Sequence, residues 1–131
     1  MAGIATVAIE TYLLLLALMV GSFVNLAADR LPRGESLVRP GSHCRACARR
    51  LNALDLLPVV GYLVRRGRCA TCRTPIGISS PVVEAAAGLL MLVPLMLLGL
   101  WPGALVGTAL VASSGLAIAA LARRRRLELF R

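Results

Sequence analysis

Two pairs of cysteines, Cys44-Arg45-Ala46-Cys47 and Cys69-Ala70-Thr71-Cys72, are the residues of this sequence best suited to chemistry, and 21 residues separate them. The Cys-x-x-Cys spacing lets both sulfurs of one turn face a single ion. Two such turns supply the four thiolates of a tetrahedral site at metal–sulfur distances of about 2.3 Å. Four protein ligands leave no position for water, so the expected site is structural rather than catalytic, with zinc as its ion. Disulfides are the alternative, and compartment decides between them because the cytoplasm keeps thiols reduced. His43 adjoins the first ligand, but four thiolates already saturate zinc, which leaves it beside the site or in solvent. Arg45, Arg49, Arg68 and Arg73 flank the cysteines and would offset the charge of a metal tetrathiolate.

The elements that must carry this site are apolar. Of 131 residues 58% are hydrophobic and only 16% charged, and the mean hydropathy of +0.79 exceeds that of a soluble domain. Three apolar runs, Thr11 to Ala28, Val82 to Leu100 and Gly103 to Ala122, reach roughly 27 to 30 Å each as helices, about the thickness of the hydrocarbon core. The stretch LLMLVPLMLLGLW has no polar face at helical spacing, as a soluble bundle would require. A cleaved signal peptide would need a basic start, whereas residues 1–10 hold no Lys or Arg and one acid, Glu10. The expected fold is an all-α membrane protein in a lipid bilayer. Residues 1–28 form a first transmembrane helix, 29–81 a cytoplasmic zinc-binding loop with four cysteine ligands, 82–122 a transmembrane hairpin and 123–131 a basic cytoplasmic tail.

Net charge is +9, and its placement has a topological cause. Ten arginines lie between Arg30 and Arg73, and the other five are Arg123 to Arg126 and Arg131. With three spans, residues 29–81 and the tail share one side, which the positive-inside rule makes cytoplasmic. The N-terminus then lies outside, as does an uncharged link, Trp101-Pro102-Gly103. Topology accounts for every basic residue, so no nucleic acid is expected as a partner. Within the loop, Pro58 and Gly61 interrupt LNALDLLPVVGYLVRRG, whose apolar side chains must pack over the knuckles or rest on the membrane interface. A loop of this size cannot bury enough surface to fold alone; zinc would contribute on the order of 10 kcal/mol. Gly103-x-x-x-Gly107 is a candidate helix-packing motif.

Residues 21 to 84 resemble the N-terminal region of type IV prepilin leader peptidases, membrane enzymes that cut and N-methylate pilin-like precursors. The resemblance runs through Gly21-Ser22-Phe23, Asn25, Arg30-Leu31-Pro32, Ser42, the four cysteines, Asp55-Leu56-Leu57-Pro58, Arg66-Gly67, Pro75-Ile76 and Pro81 to Glu84. Ala28 and Asp29 depart from it where the family has an apolar or aromatic pair, and Ser80 where an aromatic residue precedes the proline. The family continues into spans carrying two catalytic aspartates, one in Gly-x-Gly-Asp, whereas residues 120 to 126 here read ALARRRR and the chain ends at Arg131.

Aspartyl proteolysis needs two carboxylates that share a proton and activate water. Asp29 and Asp55 are the only aspartates, and both lie in the family's N-terminal pattern, so no catalytic residue is expected within this chain. The resemblance implies a stand-alone prepilin-peptidase N-terminal module of the bacterial inner membrane, paired with a separate aspartyl half and serving prepilin-like substrates in pilus assembly or type II secretion. Alternatives are an N-methyltransferase using S-adenosylmethionine, and a degenerate relic. Glu84, Arg30, Asn25 and Asp55 are the further candidates for a substrate or structural role, with Glu84 expected to meet Arg30 or another basic residue at the cytoplasmic boundary. A reporter fused near residue 50 should signal from the cytoplasm. A periplasmic signal there would overturn the topology and turn the cysteines into disulfide candidates.

Overall fold

The computed structural model describes residues 3–129. Its helices are α1 (Ile4–Arg30), α2 (Ala53–Leu56), α3 (Val60–Val64), α4 (Ser79–Leu98) and α5 (Leu100–Leu129), with a short 3-10 turn, Leu31–Arg33, after α1. Three of them, α1, α4 and α5, are long and apolar enough to cross a membrane. No strand occurs among the described residues; two isolated bridges, His43 with Arg50 and Arg68 with Pro75, are the only extended pairings among them. The all-α class with three spans and the cysteine loop between the first two is therefore the observed architecture.

The spans pack as a three-helix bundle with α4 at its centre. In the apolar window of α4, 39% of residues are buried, against 11% in each neighbour. The bundle core is Ala17 of α1, Met91 and Leu95 of α4 and Val111 of α5. Leu15, Met19, Leu89, Met96, Leu105 and Leu116 point outward, as they should where lipid rather than water surrounds the bundle. Close approach of the helices depends on small residues. A Cβ on Gly21 would lie 2.8 Å from Ala87 Cβ, and one on Gly107 2.8 Å from Met91 Sδ. At Gly103 it would lie 2.5 Å from Pro94 O and 2.6 Å from Leu95 Cα. The Gly103-x-x-x-Gly107 motif thus sets the distance between α4 and α5.

Two boundaries differ from the sequence-based expectation. The link between α4 and α5 is Gly99 alone, with φ +79, and not Trp101-Pro102-Gly103. Only glycine accepts that backbone angle at little cost, and Pro102 fits the first turn of α5, where its missing N–H would have had no intrahelical partner. The helix of the third span does not stop at Ala122, because α5 continues unbroken through Leu129; arginines have good helix propensity, and nothing there breaks the hydrogen-bond ladder. Residues 130–131 lie outside the described residues. At the other end of the loop, α1 yields to the turn containing Pro32, and Gly34, with φ +70, donates its N–H to the Leu31 carbonyl (3.1 Å) and reverses the chain.

Gly103→Leu should force the hairpin apart and cost about 1–3 kcal/mol, the usual effect of overpacking. Thermal unfolding of the purified protein in detergent, followed by circular dichroism, measures it; an unchanged midpoint would contradict the close packing of α4 and α5.

Candidate metal centre and its docking on the helices

Each cysteine pair sits in the same backbone turn. In the first, Cys44 N–H bonds Arg49 O (2.8 Å) and Ala48 N–H bonds Cys44 O (2.8 Å). In the second, Cys69 N–H bonds Thr74 O (2.9 Å) and Arg73 N–H bonds Cys69 O (3.2 Å). The residue after each second cysteine is left-handed, Ala48 at φ 56 and Arg73 at φ 58. A Cβ disfavours that region by roughly 1–2 kcal/mol, so the geometry of the hydrogen-bonded turn, and not residue preference, places the backbone there.

The two turns interleave. Cys44 Sγ is 3.7 Å from Cys72 Sγ, and Cys47 Sγ is 3.9 Å from Cys69 Sγ. All four sulfurs lie within 4.8 Å of one another. A tetrahedron of thiolates at about 2.3 Å from one ion has edges of about 3.8 Å, so the cluster fits a metal ion, and all four thiols are free of disulfides. The protonation chemistry is uneven. Backbone N–H groups of Thr71 and Cys72 directed at the sulfur hold the Cys69 thiol down to about 6. At Cys47 the N–H of Arg49 acts in the same sense, but desolvation and the three crowding sulfurs outweigh it and push the thiol up to about 11. Thr74 lowers Cys72 through its hydroxyl, 3.3 Å away, and its N–H. His43 stands beside the cluster, its Nδ1 2.8 Å from Gly41 O.

Two aspartates hold the knuckles in place. Asp29, at the end of α1, pairs with Arg33 (2.6 Å) and with Arg45, which lies between Cys44 and Cys47. Asp55 is nearly enclosed, its side chain 5% exposed. It receives Arg49 Nη2 (2.6 Å) on one oxygen, Arg65 Nε (2.6 Å) on the other, and the Asn52 N–H (3.1 Å). Burial pushes this carboxyl up, but Arg65, the Asn52 N–H and Arg49 outweigh it and hold it below the usual carboxylate range. Asn52 Oδ1 in turn accepts the Asp55 N–H (2.9 Å), completing a capping box for α2. The Arg49 guanidinium is raised by Asp55 first and by the Cys69 sulfur second. Its Nε is buried with no protein partner among the described residues, beside a cluster whose metal-bound thiolates would be acceptors.

The loop is tied to the spans through backbone groups. Glu84, 5% exposed on α4, accepts the N–H of Val59 on Oε2 (2.7 Å) and the hydroxyl of Ser80 on Oε1 (2.8 Å). Arg30, also buried, donates from Nη1 to the carbonyls of Ser36 (2.8 Å) and Pro40 (2.9 Å). The expected meeting of Glu84 with Arg30 or another basic residue does not occur among the described residues; each charge is met by neutral backbone or hydroxyl groups. Arg30 has a carbonyl-rich turn beside it in sequence, and Glu84 faces a strained backbone N–H at Val59, whose φ is 59, so both are satisfied without an ion pair. Asn25 is half-buried on α1 and makes no side-chain hydrogen bond among the described residues. Glu10 borders a cleft with Leu92, Leu95 and Met96, eleven residues and about 16 Å along α4 from Glu84.

Sequence reasoning missed Asn52, although Asn-x-x-Asp before an apolar run is a readable cap signal. It also missed Ser80, Arg65 and the Asp29–Arg45 pair. The i, i+4 spacing of Ser80 and Glu84 hints at the first of these; the others join distant residues and leave no local mark.

Residues 15–98, about two thirds of the chain, match the family model described as Bacterial Peptidase A24 N-terminal domain. The chain is 40% identical over 79 residues to a prepilin leader peptidase/N-methyltransferase of Myxococcus xanthus, covering 60% of this chain and 24% of that protein. It is 34% identical over 113 residues to one of Burkholderia pseudomallei, covering 67% and 37%, and 33% identical over 84 residues to one of Bacillus subtilis, covering 59% and 34%. The chain thus spans about a quarter to a little over a third of the length of these curated relatives. No solved structure matches it.

Asp55→Asn should leave Arg49 and Arg65 without their carboxylate and loosen the knuckles from α2 and α3. Because both arginines are partly solvated, the cost falls below that of breaking a fully buried pair, at about 1–3 kcal/mol. Faster tryptic cleavage within residues 45–73 at neutral pH, with helix content retained, is the expected result; unchanged cleavage would show that the pairing is incidental.

Proposed function

Because this chain belongs to the Bacterial Peptidase A24 N-terminal domain family, we propose that it serves the processing of prepilin-like precursors in the bacterial cytoplasmic membrane. Its part is that of the module that presents a zinc-stapled loop beside the spans. In this reading residues 29–81 face the cytoplasm and the N-terminus faces outward, which the arginine distribution supports. Zinc is the ion that best suits four thiolates in a closed tetrahedral cluster in a reducing compartment. Its contribution is to fold the loop, not to react, since no coordination position remains open.

One observation carries the proposal: the four-sulfur cluster is tied to α1 by Asp29 through Arg45 and to the α2–α3 stretch by Asp55 through Arg49 and Arg65, and that stretch is tied to α4 by Glu84 through Val59. Those three acids are thereby committed to holding structure. Glu10 and Glu84 are too far apart along α4 to share a proton. In this reading the carboxylate pair that activates water in an aspartyl peptidase comes from residues outside this sequence, on an aspartyl half that this module completes. The relatives' names join peptidase to N-methyltransferase; S-adenosylmethionine would be the methyl donor of that second activity.

Co-expression with a membrane protein that supplies the aspartate pair, scored by cleavage of a prepilin-like precursor, tests this. The chain alone should leave the precursor uncut, and the pair should process it. Cys72→Ser should abolish the rescue and reduce bound zinc from one per chain to a small fraction. Cleavage by the lone chain that persists through Asp29→Asn, Asp55→Asn and Glu84→Gln would overturn the division of labour. Methyl transfer to a processed N-terminus without any effect on cleavage would favour the methyltransferase reading.

A further inference from the structure

The stretch between the knuckles is left with an apolar face that nothing in the bundle covers. Leu56, Leu57, Val60, Leu63 and Val64 are 46–65% exposed, all within nine residues. The other face of the same short stretch is taken up by protein. Gly61 lies so close to α2 that a Cβ there would come within 2.7 Å of the Leu54 and Asp55 carbonyls, and Asp55 is enclosed by its arginines. Side chains of this size are not left in water on one side of a compact unit without a partner.

The position of this face follows from Glu84. The residue stands five positions into α4, about 7.5 Å along its axis, and all 20 residues of α4, about 30 Å, are needed to cross a hydrocarbon core. Since Val59 donates its N–H to Glu84, the α2–α3 turn is held alongside the first turns of a span and not out beyond them. Charge completes the picture. Arg66 and Arg68 directly follow the apolar face, are exposed, and make no ion pair among the described residues. The nearest acid in sequence, Asp55, has both oxygens occupied.

The geometry points to an in-plane membrane anchor: the α2–α3 element inserts its leucines and valines at the headgroup–acyl boundary while Arg66 and Arg68 bind anionic phospholipid headgroups. This is the pattern of an interfacial amphipathic segment, apolar on one side and arginine-rich at its edge. A protein partner would need acids to meet the two arginines and would have to reach a surface already at the bilayer boundary. The inference concerns where the zinc loop lies and does not depend on the substrate.

An indole placed on the face reads its surroundings. Trp101 is the only tryptophan, so the intact chain carrying Trp101→Phe with Leu63→Trp reports from one site; Val64→Trp is a second reporter in case the first perturbs folding. In phosphatidylcholine vesicles containing phosphatidylglycerol, lipids brominated near the headgroup end of the acyl chain should remove most of the emission, and aqueous iodide should remove little. Brominated phosphatidylglycerol should quench more than brominated phosphatidylcholine, and Arg66→Gln with Arg68→Gln should make the two equal. Quenching by iodide with none from bromolipid would place the face in water and overturn the anchor. Protection from both quenchers would mean that protein covers it, a second copy or another chain, and would overturn it equally. Equal quenching by both headgroups with the arginines intact would overturn the anionic-lipid assignment.

Discussion

Four sulfur atoms brought within 4.8 Å are the constraint on which the loop between α1 and α4 depends. The segment from Leu31 to Ile78 has two helices of four and five residues and no strand, too little regular structure to fold by burial. Its backbone takes positive φ at Ala48, Val59, Arg66 and Arg73, none of them glycine. Such conformations persist only where the surroundings over-determine them. Crowded thiolates repel one another unless a cation sits among them, and an ion held by the four sulfurs would also hold the strained turns around the cluster.

The bundle uses its few charges to extend that order into the membrane. An unpaired charge at the hydrocarbon boundary is strongly unfavourable, and the usual remedy is a partner of opposite sign. Arg30 and Glu84 follow another course: Arg30 collects two carbonyls from the turn after α1, and Glu84 collects an N–H and a hydroxyl. Each charge thereby binds loop backbone, and loop backbone is what must be positioned. Asp29 and Asp55 act in the same way through arginines that belong to the first knuckle. The knuckle turns are therefore tied to α1, α2 and α3, and the α2–α3 turn to α4, by contacts that substitute for the missing hydrophobic core.

Much of this was readable before any coordinates. The three spans follow from run length and the absence of polar periodicity, because a bilayer demands both. The sulfur cluster follows from Cys-x-x-Cys spacing, because two sulfurs three residues apart in a turn face the same point. Gly103 and Gly107 follow from small-residue spacing in an apolar helix. These signals are local: each needs a few neighbouring residues and one general rule.

By itself, then, the sequence determined the number of spans, the four cysteines that cluster, the basic side of the molecule and the family that residues 21 to 84 resemble. Tertiary structure alone decided which sulfur neighbours which, with Cys44 beside Cys72 and Cys47 beside Cys69, that Glu84 takes the Val59 N–H rather than an arginine, and that Asp55 faces both Arg49 and Arg65. It also decided that the apolar stretch between the knuckles is turned outward. The reason is physical: a buried carboxylate will accept any good donor, and backbone N–H groups, present at every residue but proline, leave no mark in the sequence. Which donor arrives first in space depends on how the helices and knuckles pack around it.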